Sequence, residues 1–439
     1  MKKKQFLACL GALLFVLPVG GCADKGKSVL LKKPIEVVQL EYSENNKDPF
    51  LSFKQSVDAF SAKFAQETYA KKLRFGNFVL SPVSVFMALS LAAECSYGET
   101  QAQLLSALGV DAATLKENIP TLYRSLEKSY KAEGVLGEKT TGQLKLSNSI
   151  WLDESITANN DCLDILSRQY YCYSYSANFL NDNVAANQAV RHFVKTKTND
   201  LIDRDFQISD ETLFTLMNTL YLKDVWTYDG DELTLTSKPY EFETATGESV
   251  SKKFLVSDYK LGRAYETESF SYFYTTTYHG YKIKFILPKA DYTLKDIFQA
   301  DTLRLVNSVR DFNAADDENM LLYHTRCLFP EYKTDYYGDV KEILQTKFGV
   351  TDLFHQKQCD FSPLTSDEAF CSGVIHTASL NVNRKGIEGA AVTVLPGAGA
   401  PGPGEYENVY VDFVVDKAFA FILTDPYDVT LFSGVVEKI

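Results

Sequence analysis

His376-Thr-Ala-Ser-Leu-Asn-Val-Asn-Arg-Lys-Gly-Ile-Glu-Gly-Ala-Ala-Val-Thr393 is the stretch on which the reading of this chain turns. Its second half alternates with the two-residue period of a strand. Ile387, Gly389, Ala391 and Thr393 share one face, and Glu388, Ala390 and Val392 share the other. With the first set turned inward, the buried face is small except at Ile387 and the single acid lies on the solvated face. A segment built this way suits a strand with one buried face. A Gly-Ala linker, by contrast, has no use for Glu388, Val392 and Thr393 at these spacings. The stretch runs on into Pro396-Gly-Ala-Gly-Ala-Pro-Gly-Pro-Gly404, where seven of nine residues are Gly or Pro, although the 439-residue chain holds only 24 Gly and 13 Pro.

Elsewhere the composition is that of a globular protein, 45% hydrophobic and 23% charged, which excludes collagen, low complexity and wholesale disorder. The length suggests two to four domains, with the Gly/Pro clump a natural linker. Net charge is −12, and becomes −15 if Lys2, Lys3 and Lys4 leave with a signal segment. Without clustered Lys and Arg, such a chain is a poor partner for nucleic acid. After residue 21 no apolar run approaches the roughly 18 residues of a membrane span.

Lys2–Lys4, the apolar stretch Phe6 to Leu17 and the small residues of Val19-Gly-Gly-Cys22 read as a secretory signal over residues 1–21. The pattern is similar to a bacterial lipobox, which implies lipidation of Cys22 as the new N-terminus. The alternative is cleavage nearby, with Cys22 an ordinary cysteine. Residues 22–45 are then a lipid-anchored tether with a reach of roughly 25 Å. The expected location is the bacterial cell envelope, on the outer membrane or cell surface, with the lipid as the sole contact to membrane.

Six further cysteines, Cys95, Cys162, Cys172, Cys327, Cys359 and Cys371, form no C-x-x-C pair, and the five histidines are scattered. Neither a metal site nor a cofactor is expected. Cys359 with Cys371, or Cys162 with Cys172, could close as disulfides in an exported protein, and buried free thiols are the alternative.

Phe53, Val57, Phe60 and Phe64 predict an amphipathic helix. Ser81-Pro82 predicts a helix capped by serine with proline at its first position, running apolar from Val85 to Ala93. Tyr281-Lys-Ile-Lys-Phe-Ile predicts an alternating strand, and Val409–Val415 and Phe419–Leu423 neighbouring strands. Helices early and strands late favour an α+β fold. There is no G-x-S-x-G, no H-E-x-x-H and no P-loop, so nothing in the chain marks it as an enzyme.

From residue 50 onward the sequence resembles the serpin family, inhibitors that trap proteases by inserting a loop into a β-sheet. The resemblance rests on Asn77-Phe-Val-Leu-Ser-Pro-Val-Ser84 with Gly98-Glu-Thr, Asn218-Thr-Leu-Tyr-Leu-Lys-Asp-Val-Trp226, Phe285-Ile-Leu-Pro288, Phe329-Pro330, Asp360-Phe-Ser362, the run His376–Thr393, and Leu431-Phe-Ser-Gly434. It implies one large domain over residues 46–439, with a central, mostly antiparallel sheet, surrounding helices and an exposed reactive loop at about 384–408. By the same resemblance Ser81, Ser84, Asn218 and His376 lie beneath the central strands where these part, and Trp226 sits at the top where the loop begins to insert. Gly386, Ile387, Glu388, Gly389, Ala390, Ala391, Val392 and Thr393 form the hinge.

The resemblance places the attacked bond at Ala400-Pro401, with Ala398-Gly399 the alternative because proline after the bond is a poor substrate. It implies a monomeric inhibitor that forms a covalent complex with a serine protease of elastase-like or subtilisin-like preference, from a host or a neighbouring microbe. A non-inhibitory binding or structural surface protein is the second reading. Three features depart from the family pattern. Arg384 and Lys385 replace acids, so the salt bridge at the loop base is expected reversed in sign or absent. Ile387 is bulkier than the usual Thr or Ser, and Pro396 lacks a strand N–H donor.

Overall fold

The computed structural model describes residues 26–38, 47–72, 75–134, 137–227, 232–308, 321–388 and 407–439. Phe53, Val57, Phe60 and Phe64 form the buried face of α1 (Lys47–Ala70). Phe60 meets Phe86 of α2 (Pro82–Cys95) edge to face, and also Phe348 of α9 (Lys341–Phe348). α2 is apolar on every side and almost wholly buried, as befits a helix that runs through a core. Its N-terminus is as expected, with Ser81 preceding Pro82, but the Ser81 hydroxyl does not cap it. α3 (Gly98–Leu108), α4 (Ala112–Ser125) and α5 (Asn160–Gln169) pack around α1 and α2.

The main sheet runs β1 (Val29–Lys32), β5 (Cys172–Ala177), β4 (Gly137–Asp153), β6 (Phe214–Val225), β17 (Gly386–Glu388), β16 (Ile375–Asn383), β15 (Tyr332–Asp339), with β3 (Lys128–Gly134) on β4. Every ladder is antiparallel except β4 with β5. Period two sends Ile150 and Leu216 to the α1–α2 side. Trp151 and Met217 point the other way, into a second core closed by Val190 and Phe193 of α6 (Asn183–Lys197).

A second sheet runs β11 (Tyr265–Glu266), β12 (Phe270–Thr276), β13 (Lys282–Pro288), β19 (Phe419–Thr424), β20 (Thr430–Val436), β2 (Phe78–Leu80). A third runs β10 (Lys260–Leu261), β14 (Leu321–Phe329), β18 (Glu407–Val414), with β9 (Leu255–Val256) on β14. β7 (Tyr240–Glu243) and β8 (Ser249–Lys252) form a hairpin, and α7 (Leu294–Ile297) and α8 (Ala300–Ser308) follow β13. The sheets interleave strands from both ends of the chain, so the Gly/Pro clump separates no domains.

Three expectations change. β18 and β19 are not neighbours: β18 lies parallel to β14, whereas β19 lies between β13 and β20. The residues between them change sheets, with Val415 bonded to Leu328 and Ala418 to Glu243. β13 does not alternate, because both its faces are covered. Lys284 is 2% exposed, its ammonium held by Asn307 Oδ1 and Asp428 Oδ1 at 3.0 Å each.

The third change concerns the expected tether. Its described part, residues 26–38, is docked on the domain. β1 extends the main sheet at β5, the Lys27 N–H donates to Ala185, the Ile35 N–H to Ser167, and Arg124 Nε to the Val38 carbonyl. Cys22 lies outside the described residues, as do Gly389, Ala390, Ala391, Val392, Thr393, Ala398, Gly399, Ala400 and Pro401. Among the described residues no helix is long and apolar enough to cross a membrane.

Candidate functional site

The turn Arg384-Lys385 sends the chain from β16 back on itself as β17. β17 pairs with β16 on one side (Val382 opposite Ile387) and with β6 on the other (Asp224 opposite Ile387), antiparallel to both. Among the described residues no ladder joins β6 directly to β16. They meet through β17, and at the far end Phe214 of β6 bridges to Cys371 in the segment that leads into β16. The first three hinge residues therefore already lie within the main sheet.

Side chains follow the period read from the sequence. Ile387 points inward and is 1% exposed within the main core, whereas Glu388 is half-buried and accepts from Tyr221 Oη at 3.5 Å. Isoleucine does not prevent this seating. Gly386 is required by close approach: a Cβ there would lie 1.6 Å from the Asp224 carbonyl oxygen.

Trp226 clamps the turn. Its indole Nε1 donates to the Asn383 carbonyl at 2.7 Å, its ring packs against Phe329, and its backbone N–H reaches the Lys385 carbonyl. Arg384 makes an ion pair with Glu232 at 3.0 Å, and its backbone N–H donates to Glu331 Oε1. The bridge at the loop base is thus reversed in sign, with the cation on the loop and acids on the body. Below the turn, Asp224 Oδ1 and His279 Nδ1 lie 2.6 Å apart and buried, which fixes the end of β6 to the turn before β13. Burial holds the His279 ring well below the usual imidazole pKa.

Beneath the centre of the sheet, Ser81 and Ser84 share a hydrogen bond at 2.9 Å, and the Ser81 N–H donates to His376 Nε2 at 3.1 Å. His376 packs between Phe64 and Tyr336. Burial pushes its pKa down to about 3, so the ring is neutral, with Nε2 an acceptor. The fourth expected member, Asn218, is not bonded to this group. Its Nδ2 donates to Asn148 Oδ1 at 2.5 Å, and Asn148 in turn donates to the Tyr170 carbonyl. The Asn218 Oδ1 finds no partner among the described residues.

Sequence reading missed Asn148, Asn383, Glu232, Glu331 and the Asp224–His279 pair. Asp224 stood inside the quoted motif before Trp226, but its partner lies 55 residues away and nothing local announces it. The described cysteines are all free thiols. Neither spacing-based pair is closed, and Cys162 instead faces Cys95.

Comparison with known proteins agrees with this architecture. The chain is 22% identical over 371 residues to an uncharacterized serpin-like protein of Methanosarcina acetivorans, covering 82% of this chain and 81% of that one. It is 26% identical over 324 residues to intracellular coagulation inhibitor 2 of Tachypleus tridentatus, covering 72% and 75%. The crystal structure of the thermophilic serpin tengpin in its native state superposes with a TM-score of 0.70 at 21% identity, covering 94% of this chain and all of that one. Residues 55–439 match the family described as serpin (serine protease inhibitor), and the chain belongs to that family.

Proposed function

We propose that the protein inhibits a serine protease by acting as a suicide substrate. The carrying observation is β17, three residues of loop already hydrogen-bonded between β6 and β16 with Ile387 in the core. Continuing both registers, each step along the loop moves one residue back along β6 and along β16. Ala391 would then lie between Ala378 and Leu220, and Thr393 between His376 and Asn218, whose Oδ1 is ready to accept its hydroxyl.

On this reading the protease serine attacks the carbonyl of Ala400, or of Ala398. The acyl link forms and the peptide amine leaves. Inserting about 15 residues at roughly 3.3 Å each then carries the enzyme about 50 Å along the sheet before water can free it. Alanine at the attacked position suits an elastase-like or subtilisin-like pocket, having no cation for an acidic one. The inhibitor acts as a monomer, lipid-anchored through Cys22 at a bacterial envelope, against a protease of host or neighbouring microbe. The test is a denaturing gel after incubation with pancreatic elastase or subtilisin. An adduct of summed mass that survives boiling supports the reading, and nicking without adduct favours a non-inhibitory surface protein.

A further inference from the structure

Cys95 closes the C-terminal end of α2 and Cys162 lies in the first turn of α5. Their Sγ atoms are 4.0 Å apart, and the two residues are 1% and 4% exposed. A second contact ties the same region together, the Oη of Tyr170, the residue that follows α5, donating to Glu94 Oε2 of α2 at 2.9 Å. Three of the other described cysteines are occupied differently. Cys359 Sγ donates to the Ala369 carbonyl, Cys371 to Gly373 and Cys172 to Tyr173.

We propose that Cys95 and Cys162 are a disulfide-forming pair that ties α2 to α5. Contact at 4.0 Å needs only a modest swing of both side chains to reach bonding distance. The oxidant is a small-molecule disulfide such as oxidised glutathione. One cysteine thiolate attacks it and releases a thiol, then the second displaces the other thiol from the mixed disulfide. Two protein thiols are oxidised and one disulfide is reduced to two thiols. The hydrogen bond with Cys162, together with burial, pushes the Cys95 thiol well above its usual pKa, which leaves little thiolate in the folded protein, so the bond closes while the chain folds.

The position gives the bond a consequence, which rests on the proposed inhibitory function. At its first turn α2 is bonded to β16 through Ser81 and His376, and at its last turn it touches α5, which packs on β5 across the sheet. α2 thus spans the line at which β6 and β16 must part. A covalent Cys95–Cys162 link makes it travel with α5 and β5, and throws all the separation onto the Ser81–His376 contact. The oxidised protein should insert its loop more slowly than the reduced one.

The test refolds the full chain in a mixture of reduced and oxidised glutathione, denatures it in N-ethylmaleimide without reductant, and maps the peptides. The expected result is one linked pair, Cys95 to Cys162, two hydrogens lighter than the reduced peptides, with Cys172, Cys327, Cys359 and Cys371 alkylated. Alkylation of both Cys95 and Cys162, or a Cys162–Cys172 link, would overturn the pairing. This map needs no protease, so it stands or falls apart from the inhibitory reading. Adduct formation by the oxidised and reduced forms is then timed, and equal rates would overturn the restraint.

Discussion

The backbone N–H of Ser81 donates to Nε2 of His376, so the first turn of the buried helix α2 hangs from the strand that borders the loop. That bond requires a neutral ring. The His376 pKa falls from 6.5 unfolded to about 3 folded, so between these values the unfolded chain binds the extra proton. Stability is fully present above pH 6.5 and is lost on acidification by up to about 1.4 kcal/mol per pH unit. Asp425, whose pKa burial raises to about 7, acts in the opposite sense. A difference between two proteins isolates the histidine. His376→Gln is expected to be less stable than the wild type at pH 7.5, with a gap that narrows as the pH falls from 6.5 toward 4. Urea melts across that range check it, and a constant gap contradicts the assignment.

Gly386 tests the seating of the hinge. The clash that a Cβ would make with the Asp224 carbonyl is with backbone and cannot be relieved by a side-chain rotation. In Gly386→Ala, β17 should detach from β6. Hydrogen exchange at residues 386–388 should rise to loop-like rates while β4 and β19 stay protected. Unchanged protection at these residues would show that β6 yields instead.

Ile387→Ala removes a side chain buried in the main core. A large-to-small change of this kind costs about 2–5 kcal/mol where the site is rigidly held. Here a ceiling applies, because a three-residue strand can leave the sheet without unfolding the domain. The expected loss in a urea melt is therefore at the low end, about 2 kcal/mol, accompanied by faster exchange at residues 386–388.

Trp226→Phe keeps the ring contact with Phe329 and deletes the bond to the Asn383 carbonyl. A buried carbonyl left without its donor costs about 1–3 kcal/mol. Calorimetry should show a lower Tm, and amide exchange at Lys385 and Gly386 should quicken.

Legibility in the sequence followed locality. The stripe of α1, the proline start of α2 and the inward–outward alternation of Ile387 and Glu388 are properties of neighbouring residues, and the structure keeps each of them. The alternation expected over Tyr281 to Ile286 assumes one open face, yet β13 is covered on both, and the Lys284 charge is met by Asp428 from a distant turn. The docking of β1 was invisible for a related reason. An edge strand four residues long needs little apolar pattern, since backbone bonds to β5 hold it. At the candidate site, the Ser81–Ser84–His376 group and Trp226 were legible from motifs. The contacts of Asn218 with Asn148, Trp226 with the Asn383 carbonyl and Arg384 with Glu232 were not, because each joins residues far apart in the chain that only the fold brings together.

In the proposed mechanism the loop enters between β6 and β16 with Ile387, and thus Ala391, facing the core. Two single substitutions one residue apart test it, each assayed for boiling-resistant adduct with elastase or subtilisin. Ala391→Arg places a charge on the buried face, where it finds no partner, and should be cleaved as a substrate with the adduct lost. Ala390→Arg places the same charge on the solvated face and should keep most of the adduct. Equal adduct from both variants, or loss only in Ala390→Arg, would contradict the register and with it the proposed mechanism.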